Sequence, residues 1–193
     1  MTFGQLPAFA AWRHQGAREG FEVVFLRTDP EGHRVEGSST GVEEGRAWAV
    51  DYAIVVDAEW VTRRVTVTAR STSGRRQVRL ESSGPGQWLV DGSPAPHLTG
   101  CVDVDLEASV VTNALPVHRL GLDVGQDAEA PAAFVRTSDL AVERLDQRYL
   151  RVDDEGGHQR YDYAAPRFDY TGTLRYDAAC LLVEYPGLAR RSI

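Results

Sequence analysis

The feature that most constrains the fold of this chain is its succession of short runs in which apolar and polar residues alternate. Successive side chains of a β-strand point to opposite faces of a sheet, so each such run predicts a strand with one buried face. In the run 60–70, for example, Val65 and Val67 alternate with Thr66 and Thr68. Gly, Pro, Asp and Ser separate the runs, and these residues favour turns. The pattern is typical of antiparallel β structure.

The same reasoning along the whole chain predicts strands at residues 22–27, 33–40, 47–56, 60–70, 77–82, 132–137, 140–145, 145–152, 159–163, 168–176 and 180–185. The best helical pattern lies at residues 6–15. We therefore predict an all-β fold, with one domain over residues 1–193 and an antiparallel sheet curled into an open barrel or β-roll. Curling buries the apolar faces and protects the sheet edges.

Two segments of the chain resemble each other. Residues 52–64 and 174–191 each combine an alternating strand with an aspartate, Asp57 or Asp177, and then with an aromatic residue and a pair of arginines. Similar segments of this kind predict two similar halves of the sheet. Because hairpins in general resemble one another, chance similarity is the alternative.

Composition excludes several classes of function. The chain has 193 residues, of which 42% are hydrophobic and 25% charged, and a formal net charge of −7. An acidic balance disfavours nucleic acid as a partner, because phosphate binding requires a basic surface. The chain has no signal-peptide pattern and no apolar run of about 18 residues, which predicts a cytoplasmic protein without stable membrane insertion. The two cysteines are expected to remain buried thiols.

The densest group of polar residues lies in the stretch 88–122. Its alternation predicts that Asp103 and Asp105 share the polar face of a strand whose other face is buried. Arg119, on a predicted following strand that includes Leu120 and Leu122, is the expected ion-pair partner of these carboxylates. Paired carboxylates also suggest an alternative, an enzyme that acts on a sugar-containing substrate with Asp103 and Asp105 as acid and base. Neighbours on one strand face approach a substrate from the same side, which disfavours this alternative.

Other catalytic centres lack the residues that they need. An Asp-x-Asp motif can hold a divalent metal, but the five histidines follow no ligand spacing, so we expect neither a metal nor another cofactor. There is no Gly-x-Ser-x-Gly motif for a nucleophilic serine. Neither cysteine has a basic neighbour that would activate its thiol. The remaining hypotheses are binding of a small molecule and a structural module with a buried ion-pair network.

The binding hypothesis fits the distribution of aromatic and polar residues. A curved sheet with an apolar hollow and a polar rim suits an amphiphile such as a lipid or glycolipid, whose acyl chain occupies the hollow. The candidate ligand-binding residues are Trp88, Asp103, Asp105, Asn113, Arg119, Gln147, Tyr149 and Tyr185. For Asn113 a structural alternative remains, in which its side chain caps a local turn ahead of Pro116.

Several of these residues lie in longer motifs that carry a family resemblance. The motifs are WLVDG at 88–92, LTGCVDVDL at 98–106, TNALPVHRL at 112–120 and VEYPG at 183–187. They resemble the bacterial family described as putative glycolipid-binding, formerly a domain of unknown function. His118 departs from the pattern, because a second arginine is expected there. The resemblance implies an all-β open barrel or roll, similar in outline to lipoprotein-carrier proteins, and it adds no catalytic residues.

Overall fold

The computed structural model describes residues 4–16, 18–84 and 86–192. The strands are β1 Phe9–His14, β2 Arg18–Asp29, β3 Gly32–Glu43, β4 Arg46–Asp57, β5 Thr62–Ser71, β6 Gly74–Gly84, β7 Gln87–Val90, β8 Ser93–Pro94, β9 Asp103–Leu106, β10 Asp127–Glu129, β11 Ala132–Val135, β12 Val142–Leu145, β13 Arg148–Glu155, β14 His158–Ala165, β15 Tyr170–Tyr176, β16 Leu182–Tyr185 and β17 Ala189–Arg191. The helix α1 spans Ala114–Leu120, and 3-10 turns lie at Pro96–Leu98, Val111–Asn113 and Pro166–Phe168. Within these ranges, no helix has the length and apolar character that crossing a membrane requires.

Fourteen of the strands form one large sheet. Their order is β10-β13-β14-β15-β16-β17-β1-β2-β3-β4-β5-β6-β7-β8. Neighbouring strands pair antiparallel throughout, for example β2 with β3 and β14 with β15. The order begins at β10 and ends at β8, so the sheet is open across the part of the chain that the structure describes. The prediction of an all-β fold with an open barrel or roll is confirmed.

A second sheet of three strands, in the order β12-β11-β9, lies apart from the first. Strand β9 pairs parallel with β11, which is an exception to the largely antiparallel pairing predicted. Parallel neighbours need a long crossover connection, and here the chain between them contains α1. One continuous hydrophobic core contains residues of both sheets, including Val104 and Phe134 from the small sheet and Trp12 and Leu80 from the large one.

Two predictions of secondary structure are wrong. Residues 6–15 do not form a helix, because Phe9–His14 is β1, whose neighbours are β2 and β17. The predicted strand around Arg119 is the helix α1 instead. Pro116 lies in its first turn, where no backbone N–H is needed, and Gly121 at φ 54° ends it with its N–H bonded to Val117 O at 3.1 Å.

The two segments that resemble each other in sequence contain turns of the same geometry. Oδ1 of Asp57 and Oδ1 of Asp177 each accept the backbone N–H groups of the residues two and four positions later, at 2.9–3.0 Å. The third residue after each aspartate has positive φ, 64° at Trp60 and 54° at Cys180. A carboxylate that bonds both amides holds this conformation. Duplication of whole sheet halves stays a prediction.

Glycine allows one aromatic ring to cross a strand on the inner face of the large sheet. Gly37 on β3 is the register partner of Tyr52 on β4. A Cβ on Gly37 would lie 2.3 Å from the Tyr52 ring and hydroxyl. The ring therefore covers the glycine backbone and reaches β2, where its hydroxyl donates to the carboxylate of Glu22.

Gly37→Ala is expected to lower the free energy of unfolding by about 1–3 kcal/mol, because the methyl group displaces the Tyr52 ring from a packed position. Urea denaturation followed by circular dichroism measures the change. Gly84→Ala is the matched control, since a Cβ on Gly84 meets nothing within 4 Å. Equal losses in the two variants would contradict this role of Gly37.

Candidate functional site

A cavity of about 340 Å³ lies beside the segment that follows β9, and β11, β12, β14, β15 and β16, together with the end of β1 and the start of β2, contribute to its wall. Its volume is at the lower end of the range of roughly 300–1,000 Å³ that is usual for small-molecule sites. The apolar and aromatic lining consists of Leu106, Ala108, Val110, Phe134, Leu145, Tyr163, Ala165, Phe168, Tyr170, Tyr185 and Leu188. The polar lining consists of His14, Arg18, Asp105, Glu107, Ser109 and Asn113.

Four of the predicted site residues form one hydrogen-bonded chain at the buried end of this cavity. Gln147 Nε2 donates to Asp105 Oδ2 at 3.3 Å. The Tyr149 hydroxyl donates to Gln147 Oε1 at 3.2 Å and accepts Asn113 Nδ2 at 3.0 Å. Asp105 and Asn113 line the cavity itself, whereas Gln147 and Tyr149 lie behind them in the core. The chain of hydrogen bonds holds the two lining side chains in place.

Asp105 is the titratable group of greatest interest in the cavity. Burial raises the pKa of its carboxyl to about 7, and the nearby carboxylates of Glu107 and Asp103 add smaller increases. Hydrogen bonds from Gln147 and Thr112 oppose the shift, but they are long, at 3.3 and 3.4 Å. The carboxyl is therefore able to accept a further hydrogen bond.

The mouth of the cavity is apolar at its surface. Phe168 and Leu188 line the cavity, and 49% and 43% of their surfaces are exposed. Arg18 closes another part of the wall, where its Nη1 donates to Glu107 O at 2.8 Å. The Arg18 guanidinium also lies 5.1 Å from the centroid of the Trp48 ring, a cation–π contact that orients it.

One wall of the cavity is attached to the large sheet through Glu22. This carboxylate on β2 is fully buried and accepts Ser109 Oγ at 2.5 Å and the Val110 N–H at 2.7 Å. The Tyr52 hydroxyl donates to the same carboxylate. Burial raises the pKa of Glu22, and these hydrogen bonds oppose the rise. Because Ser109 and Val110 line the cavity, the carboxylate positions part of the wall.

Of the other predicted site residues, Trp88, Asp103 and Arg119 lie outside the described lining and Tyr185 lies in it. Arg119 pairs with Asp103 at two points, Nη2 to Oδ2 at 2.7 Å and Nε to Oδ1 at 3.0 Å, so the predicted ion pair is confirmed for Asp103. Asp105 has the different partners given above. Trp88 is in the core and donates its indole N–H to Cys101 O at 2.8 Å. Tyr185 lines the cavity.

Two predictions about the central stretch are corrected. All four residues of β9 are buried, so the face that carries Asp103 and Asp105 is buried as well as the opposite face. The strand belongs to a small sheet that is covered on both sides, and alternation alone cannot reveal this. Asn113 makes no side-chain cap to α1, and its amide bonds Tyr149 instead.

Sequence reasoning missed several lining residues because they come from distant parts of the chain. Arg18 and Glu107 are 89 positions apart, and no local pattern joins them. Tyr163 and Tyr170 were not predicted as site residues, and they meet the predicted Tyr185 because β14, β15 and β16 are neighbours, with ring centroids 5.3–6.0 Å apart. The alternation around Tyr163 predicts a strand with one buried face. It does not show whether a tyrosine on that face packs in the core or lines a cavity.

The described residues do not favour metal or thiol chemistry at this site. No group of three or more His, Cys, Asp or Glu among residues 4–16, 18–84 and 86–192 is arranged to hold a metal ion. Cys101 and Cys180 are free and buried, as expected. Burial raises the pKa of the two thiols to about 11 and about 12, so neither is a reactive thiolate at neutral pH.

Comparisons with known proteins agree with this architecture. The family described as "Putative glycolipid-binding" matches residues 9–191. A crystal structure of a DUF1089 family protein from Pseudomonas aeruginosa is similar at 30% sequence identity and a TM-score of 0.77, covering 99% of this chain and 98% of that one. A beta-barrel-like protein of the domain of unknown function DUF1849 from Brucella abortus has 10% identity and a TM-score of 0.52, covering 95% and 92%, and shows the fold alone. No curated protein matches the chain.

Glu22→Gln is expected to lower the free energy of unfolding by about 2 kcal/mol, since an amide N–H would face the donors that the carboxylate now satisfies. The Val110 amide should also exchange its hydrogen faster. Denaturation and hydrogen exchange measure the two effects. Glu19→Gln, at an exposed position of the same strand, is the control and should change neither quantity.

Asp105→Asn is expected to change the pH dependence of stability. With its pKa raised from 3.8 to about 7, folded Asp105 keeps a proton that the unfolded chain releases, so wild-type stability falls as pH rises from about 4 to about 7. The variant has no carboxyl group at this position, so its stability does not fall in this way. The difference in free energy of unfolding between the variant and wild type should therefore shift in favour of the variant by up to about 4 kcal/mol across that window.

Urea denaturation at pH 4, 6 and 8 measures the difference between Asp105→Asn and wild type. The pKa of His14 is lowered to about 4 by burial, and its titration contributes equally to both proteins, so the difference isolates Asp105. Asp153→Asn at an exposed position serves as the control. A pH-independent difference would show that Asp105 titrates near its ordinary pKa.

Proposed function

This chain belongs to the putative glycolipid-binding family, and we propose that it binds one lipid or glycolipid molecule in the cavity without performing chemistry on it. The observation that carries the proposal is the cavity itself, in which a mostly apolar and aromatic lining is combined with a few oriented polar groups. That combination is characteristic of small-molecule binding sites. The proposed polar contacts are Asp105 and Asn113, with Tyr185 on the aromatic wall.

The polar groups of the lining are largely engaged with the protein. Ser109 bonds Glu22, Asn113 bonds Tyr149, and Glu107 Oε2 accepts the Thr137 N–H at 2.6 Å. A ligand that needed many hydrogen bonds would have to break these contacts. An amphiphile whose polar part makes few hydrogen bonds to the wall is therefore the best match. The net charge of −7 supports such a partner over nucleic acid.

The alternative of an enzyme with Asp103 and Asp105 as acid and base receives no support from the comparisons. The geometry also disfavours it, because Arg119 occupies both oxygens of Asp103 and this carboxylate lies outside the described lining. A purely structural module would not require a cavity of this size. The cytoplasmic location and the single domain expected from the sequence stay predictions.

Native mass spectrometry of the purified protein tests the proposal. We expect a bound mass that organic extraction recovers as an amphiphile, and we expect Phe168→Asp to reduce the occupied fraction. Phe168 contributes half-exposed apolar surface at the mouth, and losing this contact should weaken binding about tenfold. Val124→Asp is the matched control, because Val124 is 50% exposed and lies outside the described lining.

The outcomes separate the hypotheses. Equal occupancy in Phe168→Asp and Val124→Asp would place any bound amphiphile outside this cavity. A protein that stays free of ligand even after incubation with a total lipid extract would contradict the proposed function.

A further inference from the structure

The buried end and the mouth of the cavity carry different kinds of side chain, and this difference determines which end of an amphiphile binds at the buried end. Asp105 and Asn113 line the buried end and are only 7% and 4% exposed. Phe168 and Leu188 line the mouth, where about half of their surface is in contact with solvent. The buried part of the lining thus includes polar side chains, and the most exposed side chains of the lining are apolar. A cavity that takes up only an acyl chain at its buried end would not place a carboxyl group and an amide there.

We propose that the ligand enters head-first, with an uncharged, hydroxyl-bearing ring at the buried end against Asp105 and Asn113 and its acyl chain leaving across Phe168 and Leu188. This inference rests on the proposed function, because it assumes that the cavity binds an amphiphile. It differs from the arrangement expected from the sequence, in which the acyl chain occupies the hollow.

The charge of the lining favours an uncharged head. Glu107 is a carboxylate of the cavity wall, and Asp105 joins it above about pH 7, so a phosphate or carboxylate head would meet like charge. Arg18 adds little free positive charge to the site, since its guanidinium is paired with the Glu43 carboxylate at 3.4 Å. A cationic head would have to lose its water beside a carboxyl that keeps its proton up to about pH 7. A hydroxyl group can bond Asp105 in either protonation state.

The shape of the lining favours a ring. Tyr163, Tyr185 and Phe134 present aromatic surface around the cavity, and the first two rings meet edge to face, 6.0 Å apart at 79°. Aromatic faces carry partial negative charge and suit the C–H groups of a saturated ring. The volume of about 340 Å³ has room for one sugar-sized ring and the first few carbons of an acyl chain, so the rest of the chain must leave through the mouth.

Solution NMR with n-octyl β-D-glucoside below its micelle concentration tests the orientation directly. We expect nuclear Overhauser contacts from the glucose ring protons to Tyr163 and Tyr185, and from the terminal methyl group to Phe168 and Leu188. Titration calorimetry with octyl glucoside and with octanoate then compares heads on the same chain length. Octyl glucoside should bind more tightly, because octanoate brings a second negative charge to the site.

Asp105→Leu supplies an independent measurement. It should weaken octyl glucoside binding about 10–100-fold, the effect of removing one hydrogen bond to a carboxyl group. Asp153→Leu at an exposed position is the control and should leave the affinity unchanged. If Asp105→Leu does not fold, the nuclear Overhauser contacts of the wild-type protein still decide the orientation.

The failures are distinguishable. Methyl contacts at Tyr163 together with tight octanoate binding would overturn the head-first orientation while leaving amphiphile binding intact. If neither octyl glucoside nor octanoate binds at millimolar concentration, the proposed function itself fails.

Discussion

The buried carboxylate of Glu22 is the contact on which the shape of the cavity depends. It joins β2 of the large sheet to Ser109 and Val110, which are almost ninety positions away in the chain. A buried carboxylate is costly unless its oxygens are hydrogen-bonded, and here two hydroxyl groups and a backbone amide satisfy them. The segment after β9 is consequently held at a defined distance from the sheet, and the cavity lies alongside it.

The large open sheet and the small three-stranded sheet have different roles. The large sheet buries one face of each long strand and leaves the other in solvent, as the alternation of β2 and β3 shows. The small sheet is covered on both sides, so its aspartates are buried with it. The Asp103–Arg119 pair and the hydrogen-bonded chain from Asp105 to Asn113 make this burial tolerable. Polar side chains are thus buried in the interior, where Asp105 and Asn113 line the cavity.

The sequence allowed much of the fold to be predicted. Most strands of the large sheet follow from period-two alternation, and the aspartate turns after Asp57 and Asp177 match the segments that resemble each other. The helix α1 was missed because its seven residues are too few to show a helical period. Part of the candidate site was also accessible, since Asp105, Asn113, Gln147 and Tyr149 do form one connected group and Tyr185 lines the cavity. Arg18 and the other aromatic residues of the wall were not predicted.

The sequence by itself determined the class of fold, the two-faced character of the long strands and the family of the protein, because these depend on local alternation and on contiguous motifs. Only the tertiary structure decided which polar residues share a cavity. Asp103 and Asp105 are two positions apart, yet one is neutralised by Arg119 and the other lines the cavity. That difference arises from the neighbours that strand order and crossover connections bring together. Such neighbours are distant along the chain, and no local pattern records them.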